Sequence, residues 1–251
     1  TPWTLPSTPP RCTRAEADSG DVAGCIIAFY ADPDDIGWGT PPSPGSGDGW
    51  TWNGYWYNGS PALAAWESEH IAANTDAIGR LWAGALETHA GAQKLFEGFL
   101  NEVSANGYQV RSGGGYAFRC TAGNGGWICP SGDIDDLSNH AWGLAIDINA
   151  GTNPIRSYTG INGKTACLTP IETDMPRWVV QTAEKWGLYW GGYGWNSGCQ
   201  STSTQRSKVS RDPPHFEFRG TPEQARAIYE FNIGNDPRRR CFDTFGDDGE
   251  A

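Results

Sequence analysis

Residues 143–149 alternate between large aliphatic side chains and small or polar ones, and this segment constrains the fold most tightly. In an extended chain, successive side chains point to opposite faces, so the alternation predicts a strand with one apolar face. The other face carries Asp147. Residues 215–218 alternate in the same way, with His215 and Glu217 on one face and two phenylalanines on the other. The sequence therefore predicts two strands with buried backs that present a carboxylate and a histidine.

Helical pattern surrounds these strands. It recurs from Pro61 to about residue 105, with breaks near Gly79 and Gly91. The clearest stretch has apolar residues at helical spacing over residues 95–103, and we expect this helix to pack on the sheet.

Further elements are predicted on both sides of the alternating segment, and residues 191–211 are predicted to form a long loop. The predicted strands are Tyr108–Arg111, Tyr116–Arg119 and Leu188–Trp190, and two more helices are predicted to begin at Met175-Pro176 and at the capping box Thr221–Gln224.

The composition favours a loop-rich globular protein. The 251 residues include 34 Gly and 17 Pro, which predict many turns, and 13 Trp, which favour a packed core. A formal net charge of -11 would repel a phosphate backbone, so we do not expect nucleic-acid binding. No apolar run approaches the roughly 18 residues that a membrane helix needs. No charged and then apolar leader opens the chain, and we expect its numbering to start after a removed signal.

Residues 1–60 are rich in Pro, Gly, Trp and Asp, and they predict an irregular N-terminal extension. The aromatic cluster at residues 50–57 fits either a sugar-stacking surface or a loop packed on its own domain.

Seven cysteines are present, and no two have C-x-x-C spacing. A thiolate zinc knuckle or a thioredoxin-like motif is therefore not expected, and disulfides are the favoured interpretation. Disulfides indicate an oxidising compartment such as the cell exterior. Local pairing would join Cys12 to Cys25, Cys120 to Cys129 and Cys167 to Cys199, leaving Cys241 over.

Two of the four histidines lie in the most distinctive segments of the chain, and each has a carboxylate nearby. A catalytic zinc site uses three nitrogen or oxygen ligands and leaves one position open for water. His140, Asp147 and His215 satisfy that count. Asp212 lies three residues before His215 and is predicted to act as the general base. The other two histidines, at 70 and 89, lie in the predicted helical region outside these segments and are predicted to be surface or core residues.

These two segments resemble the signature of the VanY-type D-alanyl-D-alanine carboxypeptidases and the related phage L-alanyl-D-glutamate endopeptidases. That signature is S-x-H-x-x-G-x-A-x-D followed by D/E-x-x-H. The matching residues are Ser138, His140, Gly143, Ala145 and Asp147 in the first part, and Asp212 and His215 in the second. The W-G-G stretch that begins at Trp190 is also similar, and the resemblance covers residues from about 92 to 232.

The resemblance implies zinc-dependent hydrolysis of peptidoglycan stem peptides, either at a D-Ala-D-Ala terminus or at an internal L-Ala-D-Glu bond. It also implies that Arg119 holds substrate or the developing oxyanion, with Arg111 nearby as the alternative. Three further residues are expected either to contact substrate or to hydrogen-bond the metal ligands and orient them: Ser138, Trp190 and Glu217.

We therefore expect an α+β domain in which a small antiparallel sheet carries the zinc site between flanking helices. Residues 1–60 would form the loop-rich extension, and residues 61–251 a helical lead-in plus the peptidase domain. The expected location is secreted, or on a virion that acts at the bacterial cell wall. The competing hypothesis is a wall-binding or structural component of a virion or secreted assembly that lacks catalysis, and the intact Asp212 argues against it.

Overall fold

The computed structural model describes residue 33 and residues 36–42, 61–74, 86–121, 134–159, 166, 170–194 and 208–234. Most of the predicted N-terminal extension, its aromatic cluster and the boundary at residue 60 lie outside these residues. Cys120 is buried and disulfide-bonded. Its partner lies outside the described residues, so the cysteine pairings stay predictions. No helix in the described part of the chain is long and apolar enough to span a membrane.

Four α-helices and eight short strands make up the regular structure of the described residues. In chain order they are α1 Pro61–His70, β1 Ile71–Asn74, β2 Leu86–His89, α2 Gln93–Ala105, β3 Gly113–Gly114, β4 Ala145–Ile148, β5 Arg156–Thr159, α3 Arg177–Lys185, β6 Leu188–Trp190, β7 Lys208–Arg211, β8 His215–Phe218 and α4 Pro222–Gly234. Short 3₁₀ helices occur at Ile134–Asp136, Asn139–Trp142 and Gly191–Tyr193.

The central sheet has four antiparallel strands in the order β3-β4-β8-β6. Two further pairs, β1 with β2 and β5 with β7, form separate two-stranded sheets. Helix α2 packs against both α3 and α4. The predicted α+β class, with a small antiparallel sheet and flanking helices, is confirmed. The strands predicted around residues 143–149, 188–190 and 215–218 are present as β4, β6 and β8.

The apolar face of β8 fixes this sheet against α2. Phe216 and Phe218 are fully buried, and the Phe216 ring centre lies 5.1 Å from that of Phe99 on α2. Burying a side chain of this size contributes about 1.5–3 kcal/mol. Because the register of a strand decides which face is buried, this core also fixes the opposite face, which carries His215 and Glu217.

Four helices predicted from the sequence are confirmed, and α1 begins at Pro61 as expected. Residues 95–103 lie within α2, and their apolar side chains are buried. Helix α3 follows Met175-Pro176 as predicted. Helix α4 begins with the predicted capping box: the Gln224 N–H donates to Thr221 Oγ1 at 3.2 Å, and the Thr221 N–H donates to Gln224 Oε1 at 2.8 Å.

Strands β1 and β2 lie inside the region predicted to be helical, so that part of the prediction is wrong. They pair with each other, and Ile71 lies opposite His89. The backbone of β2 is also bonded on its other side: the His89 N–H donates to Gly143 O at 2.8 Å, and Glu87 O accepts the Tyr116 N–H at 2.6 Å. Partners distant in sequence thus satisfy this backbone, and they outweigh a local helical preference.

The strands predicted at 108–111 and 116–119 are also wrong. The strand of this region is β3, the glycine pair between them, which lies opposite Ile148 and Asp147. Next to β3, the side-chain oxygen of Asn149 accepts two backbone N–H groups that would otherwise be available for a ladder.

The predicted loop over residues 191–211 is shorter than expected at both ends. Residues 191–193 form a 3₁₀ helix, and residues 208–211 form β7, which pairs with β5. Residues 195–207 lie outside the described residues.

Candidate metal centre

Asp147 and His215 face each other across the middle of the central sheet. The antiparallel register of β4 and β8 pairs them directly. Side chains two residues apart share a face, so Glu217 lies on the same face as His215. The alternating pattern that buries Ile146 and Phe216 therefore also brings the carboxylate and the imidazole together.

His140 comes from the 3₁₀ helix that leads into β4. Ser138 precedes this helix, and its hydroxyl accepts the His140 N–H at 3.4 Å. Gly143 ends the helix with a φ of 67°, which glycine tolerates and other residues adopt at a cost. A Cβ at Gly143 would also lie 2.4 Å from the backbone nitrogen of His89. Only glycine fits this tight turn between His140 and the strand.

Three side chains converge at one point. His140 Nε2 lies 3.2 Å from His215 Nδ1 and 3.3 Å from Asp147 Oδ2, and His215 Nδ1 lies 3.2 Å from Asp147 Oδ1. Both histidine side chains are at most 5% exposed, whereas that of Asp147 is 33% exposed. The cluster is therefore buried on the histidine side and open on the Asp147 side.

The outward nitrogen of each histidine is held by an acceptor. His140 Nδ1 lies 2.7 Å from the carbonyl oxygen of Gly115, and His215 Nε2 lies 3.1 Å from Glu217 Oε2. Since a carbonyl and a carboxylate accept but do not donate, the protons are assigned to these outward nitrogens. The inward nitrogens, His140 Nε2 and His215 Nδ1, then present lone pairs.

Glu217 is itself fixed by further contacts. It accepts a hydrogen bond from Asn139 Nδ2 at 2.8 Å and pairs with the guanidinium of Arg219. Arg219 in turn lies over the Tyr189 ring, 3.6 Å from its centre. Burial alone would raise the pKa of Glu217, but Arg219 and the hydrogen bond with His215 hold that pKa well below its usual range. Glu217 is therefore an ionised acceptor behind His215.

This donor set fits a metal ion. Two imidazole nitrogens and a carboxylate face one another at 3.2–3.3 Å, and electron-rich atoms this close need a proton or a metal ion between them. His140, Asp147 and His215 form a group whose ligand atoms all lie within 4.8 Å of one another. Two imidazoles with one carboxylate are a ligand set of catalytic zinc sites, and metal-bound histidines usually donate their other N–H to a carbonyl or carboxylate.

The pKa values of His215 and Asp147 also indicate that this centre favours a positive charge. Burial would lower the pKa of His215, but its hydrogen bonds with Asp147 and Glu217 raise it to about 10. Burial would raise the pKa of Asp147, but the two histidines hold it well below its usual range. The centre thus binds a positive charge strongly, which a metal ion can supply in place of a proton.

Asp212 and Arg119 lie within electrostatic reach of the metal-ligand group. Burial raises the pKa of Asp212, with Asp147 adding to that rise, while His215, His140 and Arg119 oppose it. Burial lowers the pKa of Arg119, and Asp147 and Asp212 counteract that effect. The Arg119 guanidinium also donates to the backbone oxygen of Cys120 at 3.3 Å. The alternative, Arg111, is exposed and lies 3.8 Å from Asp174.

Trp190 and Ser138 have structural contacts in this centre. The Trp190 side chain is fully buried, and its indole N–H donates to Pro213 O at 2.7 Å, within the turn that joins Asp212 to His215. Ser138 caps the His140 helix, as described above. Their contacts with substrate, and the roles assigned to Asp212 and Arg119, stay predictions.

The two histidines left out of the site lie elsewhere. His89 is buried; its Nε2 lies 2.9 Å from Trp38 O, and its Nδ1 accepts the Gly91 N–H. His70 stacks on His89, with ring centres 5.4 Å apart. Burial lowers the pKa of His89 to about 4, so it is neutral at physiological pH.

Sequence reasoning missed three residues that support the ligands: Gly115, Asn139 and Arg219. Arg219 could have been found, because it follows Glu217 by two residues and so lies on the same face of the chain. Asn139 is adjacent to His140, but nothing in the sequence indicates that it reaches Glu217. Gly115 acts through its backbone carbonyl, which leaves no side-chain signal.

The structure is thus an α+β domain in which three potential metal ligands converge on an antiparallel sheet with one side open, an arrangement that is typical of catalytic metal sites. Residues 132–218 match the family model described as D-alanyl-D-alanine carboxypeptidase. The matched segment contains the three ligands and Asp212, covers less than half of the chain, and confirms the predicted family resemblance. It supports a peptidase. Comparison with curated proteins found no match, and comparison with solved structures found none either.

Proposed function

We propose that the protein is a zinc-dependent peptidase that hydrolyses peptidoglycan stem peptides. The observation that carries this proposal is the convergence of His140 Nε2, His215 Nδ1 and the Asp147 carboxylate, with both outward nitrogens already held by acceptors. The match to a D-alanyl-D-alanine carboxypeptidase model supports a wall peptide as the substrate. The site of action would be the bacterial cell wall, reached by a secreted or virion-associated protein.

His140, Asp147 and His215 would hold the zinc ion. When bound, zinc supplies a Lewis acid that polarises the scissile carbonyl and activates water. Gly115 and Glu217 keep each imidazole in the tautomer that leaves its inward lone pair available. The buried apolar faces of β4 and β8 fix the register of the two strands, which keeps Asp147 opposite His215.

Asp212 would take a proton from the attacking water and pass it to the leaving amine. Burial raises the pKa of its carboxyl, which makes the carboxylate a stronger base than an exposed aspartate. Arg119 would place a fixed positive charge beside the site, where it can hold a substrate carboxylate or the developing oxyanion. In a chain of formal charge -11, a local cation of this kind is needed to attract an acidic peptide.

The test is product release from purified peptidoglycan, with the cleaved bond identified by mass spectrometry. Wild type is compared with Asp212→Asn, which removes the base but keeps the size of the side chain. Asp135→Asn is the matched control, because Asp135 is an exposed aspartate that is not part of the metal-ligand group. Zinc content is measured for all three proteins.

The expected result is release by wild type and by Asp135→Asn, with Asp212→Asn zinc-loaded but at least about 100-fold slower, the usual scale for loss of general-base catalysis. Release of D-Ala would indicate a carboxypeptidase, and cleavage between L-Ala and D-Glu an endopeptidase. No product from zinc-loaded wild type would overturn the proposal and favour a wall-binding component without catalysis.

A further inference from the structure

We propose that Arg211 is a positioning residue that aims Asp212 at the metal centre by anchoring it to the Gly191–Gly192 turn. This inference rests on the proposed function, because it assigns Asp212 the role of base. It concerns a side chain that lies next to Asp212 in sequence but points into the core instead of the site.

Arg211 is buried to an extent that is rare for an arginine. Its relative exposure is 1%, and burial lowers the pKa of its guanidinium to about 10, so it still carries its charge at neutral pH. A buried charge costs several kcal/mol unless good geometry offsets it. The guanidinium lies 5.3 Å from the centre of the Tyr158 ring, across the β5–β7 pair. Because burying this charge at the end of β7 is costly, we expect a contact there that depends on the shape of the guanidinium group.

That contact is with the turn beside the metal centre. Arg211 Nε donates to Gly192 O at 2.7 Å, and the next N–H along the chain, that of Asp212, donates to Gly191 O at 2.9 Å. Two consecutive residues are thus bonded to two consecutive carbonyls. Together the two bonds restrain the position and the direction of the backbone from which the Asp212 side chain projects.

The turn itself is packed against Asp212 and His215. A Cβ at Gly191 would lie 2.6 Å from Asp212 O and 3.0 Å from His215 Cβ. The turn therefore touches the base and one metal ligand at the same time. A shift of the turn would change the distance between Asp212 and His215. The Arg211 side chain bonds the turn to β7.

The matched control lies directly opposite in the same ladder. Arg156 pairs with Arg211 in the β5–β7 register, but its side chain is 53% exposed and bonded to Glu172. Arg156→Gln therefore makes the same chemical change at the neighbouring position without touching the turn. Arg211→Gln removes the planar Nε–H group, and Arg211→Lys keeps the buried stem and the charge but loses that group.

The experiment measures kcat, KM and zinc content on a soluble stem pentapeptide that contains an L-Ala-D-Glu bond and a D-Ala-D-Ala terminus. Arg211→Gln is expected to lower kcat by about 100-fold, since a shift of about 1 Å in a reacting group costs that much. KM and zinc content should stay at wild-type values, and Arg156→Gln should match wild type throughout. Arg211→Lys should lower kcat in the same way, and it takes the place of Arg211→Gln if that variant does not fold.

A second arm asks whether Arg211 acts through Asp212. Asp212→Glu keeps a carboxylate but displaces it, so the loss caused by Arg211→Gln should be much smaller in that background than in wild type. Equal losses in both backgrounds would overturn the inference, as would a wild-type kcat in Arg211→Gln or a loss of zinc. If wild type itself cleaves nothing, it is the proposed function that fails.

Discussion

The geometry of the metal centre depends on the charge and protonation of single residues. Three electron-rich groups are held at 3.2–3.3 Å, and each histidine can offer its inward lone pair only while its outer nitrogen keeps a proton. The acceptors behind the histidines therefore matter as much as the ligands. Glu217 is the stronger of these acceptors because it is ionised.

We predict that Glu217→Gln weakens zinc binding by about 10- to 100-fold, the usual cost of removing a partner that orients a histidine ligand. The amide keeps the size of the side chain but loses the charge that favours the His215 N–H and pairs with Arg219. Titration of zinc against a competing chelator measures the dissociation constant.

Glu172→Gln is the control, since Glu172 is exposed and its carboxylate is bonded to the surface residue Arg156. Its dissociation constant should equal that of wild type. An unchanged affinity in Glu217→Gln would show that the carboxylate does not support the ligand.

For single residues, the sequence was enough to predict which three side chains converge, but not the residues that hold them in place. His140, Asp147 and His215 have the right residue types at the right spacing, and Asp147 and His215 lie on strands with a clear alternation. The bonds from Asn139 to Glu217 and from Arg211 to Gly192 join positions that are far apart in sequence. No local pattern encodes such contacts.

Among the elements, the two-residue strand β3 places the backbone carbonyl that orients the His140 ring. Gly115 follows this strand, and its carbonyl accepts the proton of His140 Nδ1. A Cβ at Gly115 would lie 1.9 Å from the carbonyl oxygen of Glu87 on β2, so the two backbones approach more closely than any side chain allows. The glycine run is therefore a site of close backbone contact.

Gly115→Ala is predicted to lower the free energy of unfolding by about 1–3 kcal/mol, the usual cost of overpacking, and to weaken zinc binding because the carbonyl must move. Gly114→Ala is the matched control at the preceding residue, because a Cβ there would meet no atom within 4 Å. Chemical denaturation and zinc titration of both variants make the comparison. Equal stability and zinc affinity in the two variants would contradict this account of Gly115.

The elements predicted correctly are those with strong local signals. Helix α2 has its apolar stripe, α4 has its capping box, and β8 has its alternation. Strands β1 and β2 were predicted to be helical because they lie within the helical pattern that recurs from Pro61 to about residue 105. Their actual partners, such as Gly143 and Tyr116, are distant in sequence, and tertiary hydrogen bonds decided the outcome.

For the whole molecule, the pH dependence of stability depends in part on Glu184, a buried acid outside the metal centre. Glu184 is 6% exposed and accepts a hydrogen bond from the Tyr193 hydroxyl. Burial raises its pKa to about 7, against the opposing effects of Tyr193 and Arg177. Because the folded pKa lies above the unfolded one, the folded state binds the proton more tightly. Stability is therefore lost as pH rises from about 4.5 to about 7.

Glu184→Gln, which cannot ionise but keeps a hydrogen-bond acceptor, is predicted to remove this part of the pH dependence. The difference in unfolding free energy between variant and wild type should grow from pH 5 to pH 8 by on the order of 3 kcal/mol at most. Thermal or chemical unfolding at several pH values measures it. If the two profiles run parallel, Glu184 ionises in the folded protein as it does in the unfolded chain.

We infer that peptide cleavage depends on a zinc ion held by His140, Asp147 and His215, and activity measured before and after metal removal tests this dependence. Wild type is stripped with a chelator, assayed on the stem pentapeptide, reloaded with zinc and assayed again, with metal content measured at each step. The prediction is loss of cleavage on removal, full recovery at one zinc per chain, and no recovery for His215→Ala treated identically. Undiminished cleavage by the metal-free protein would contradict it.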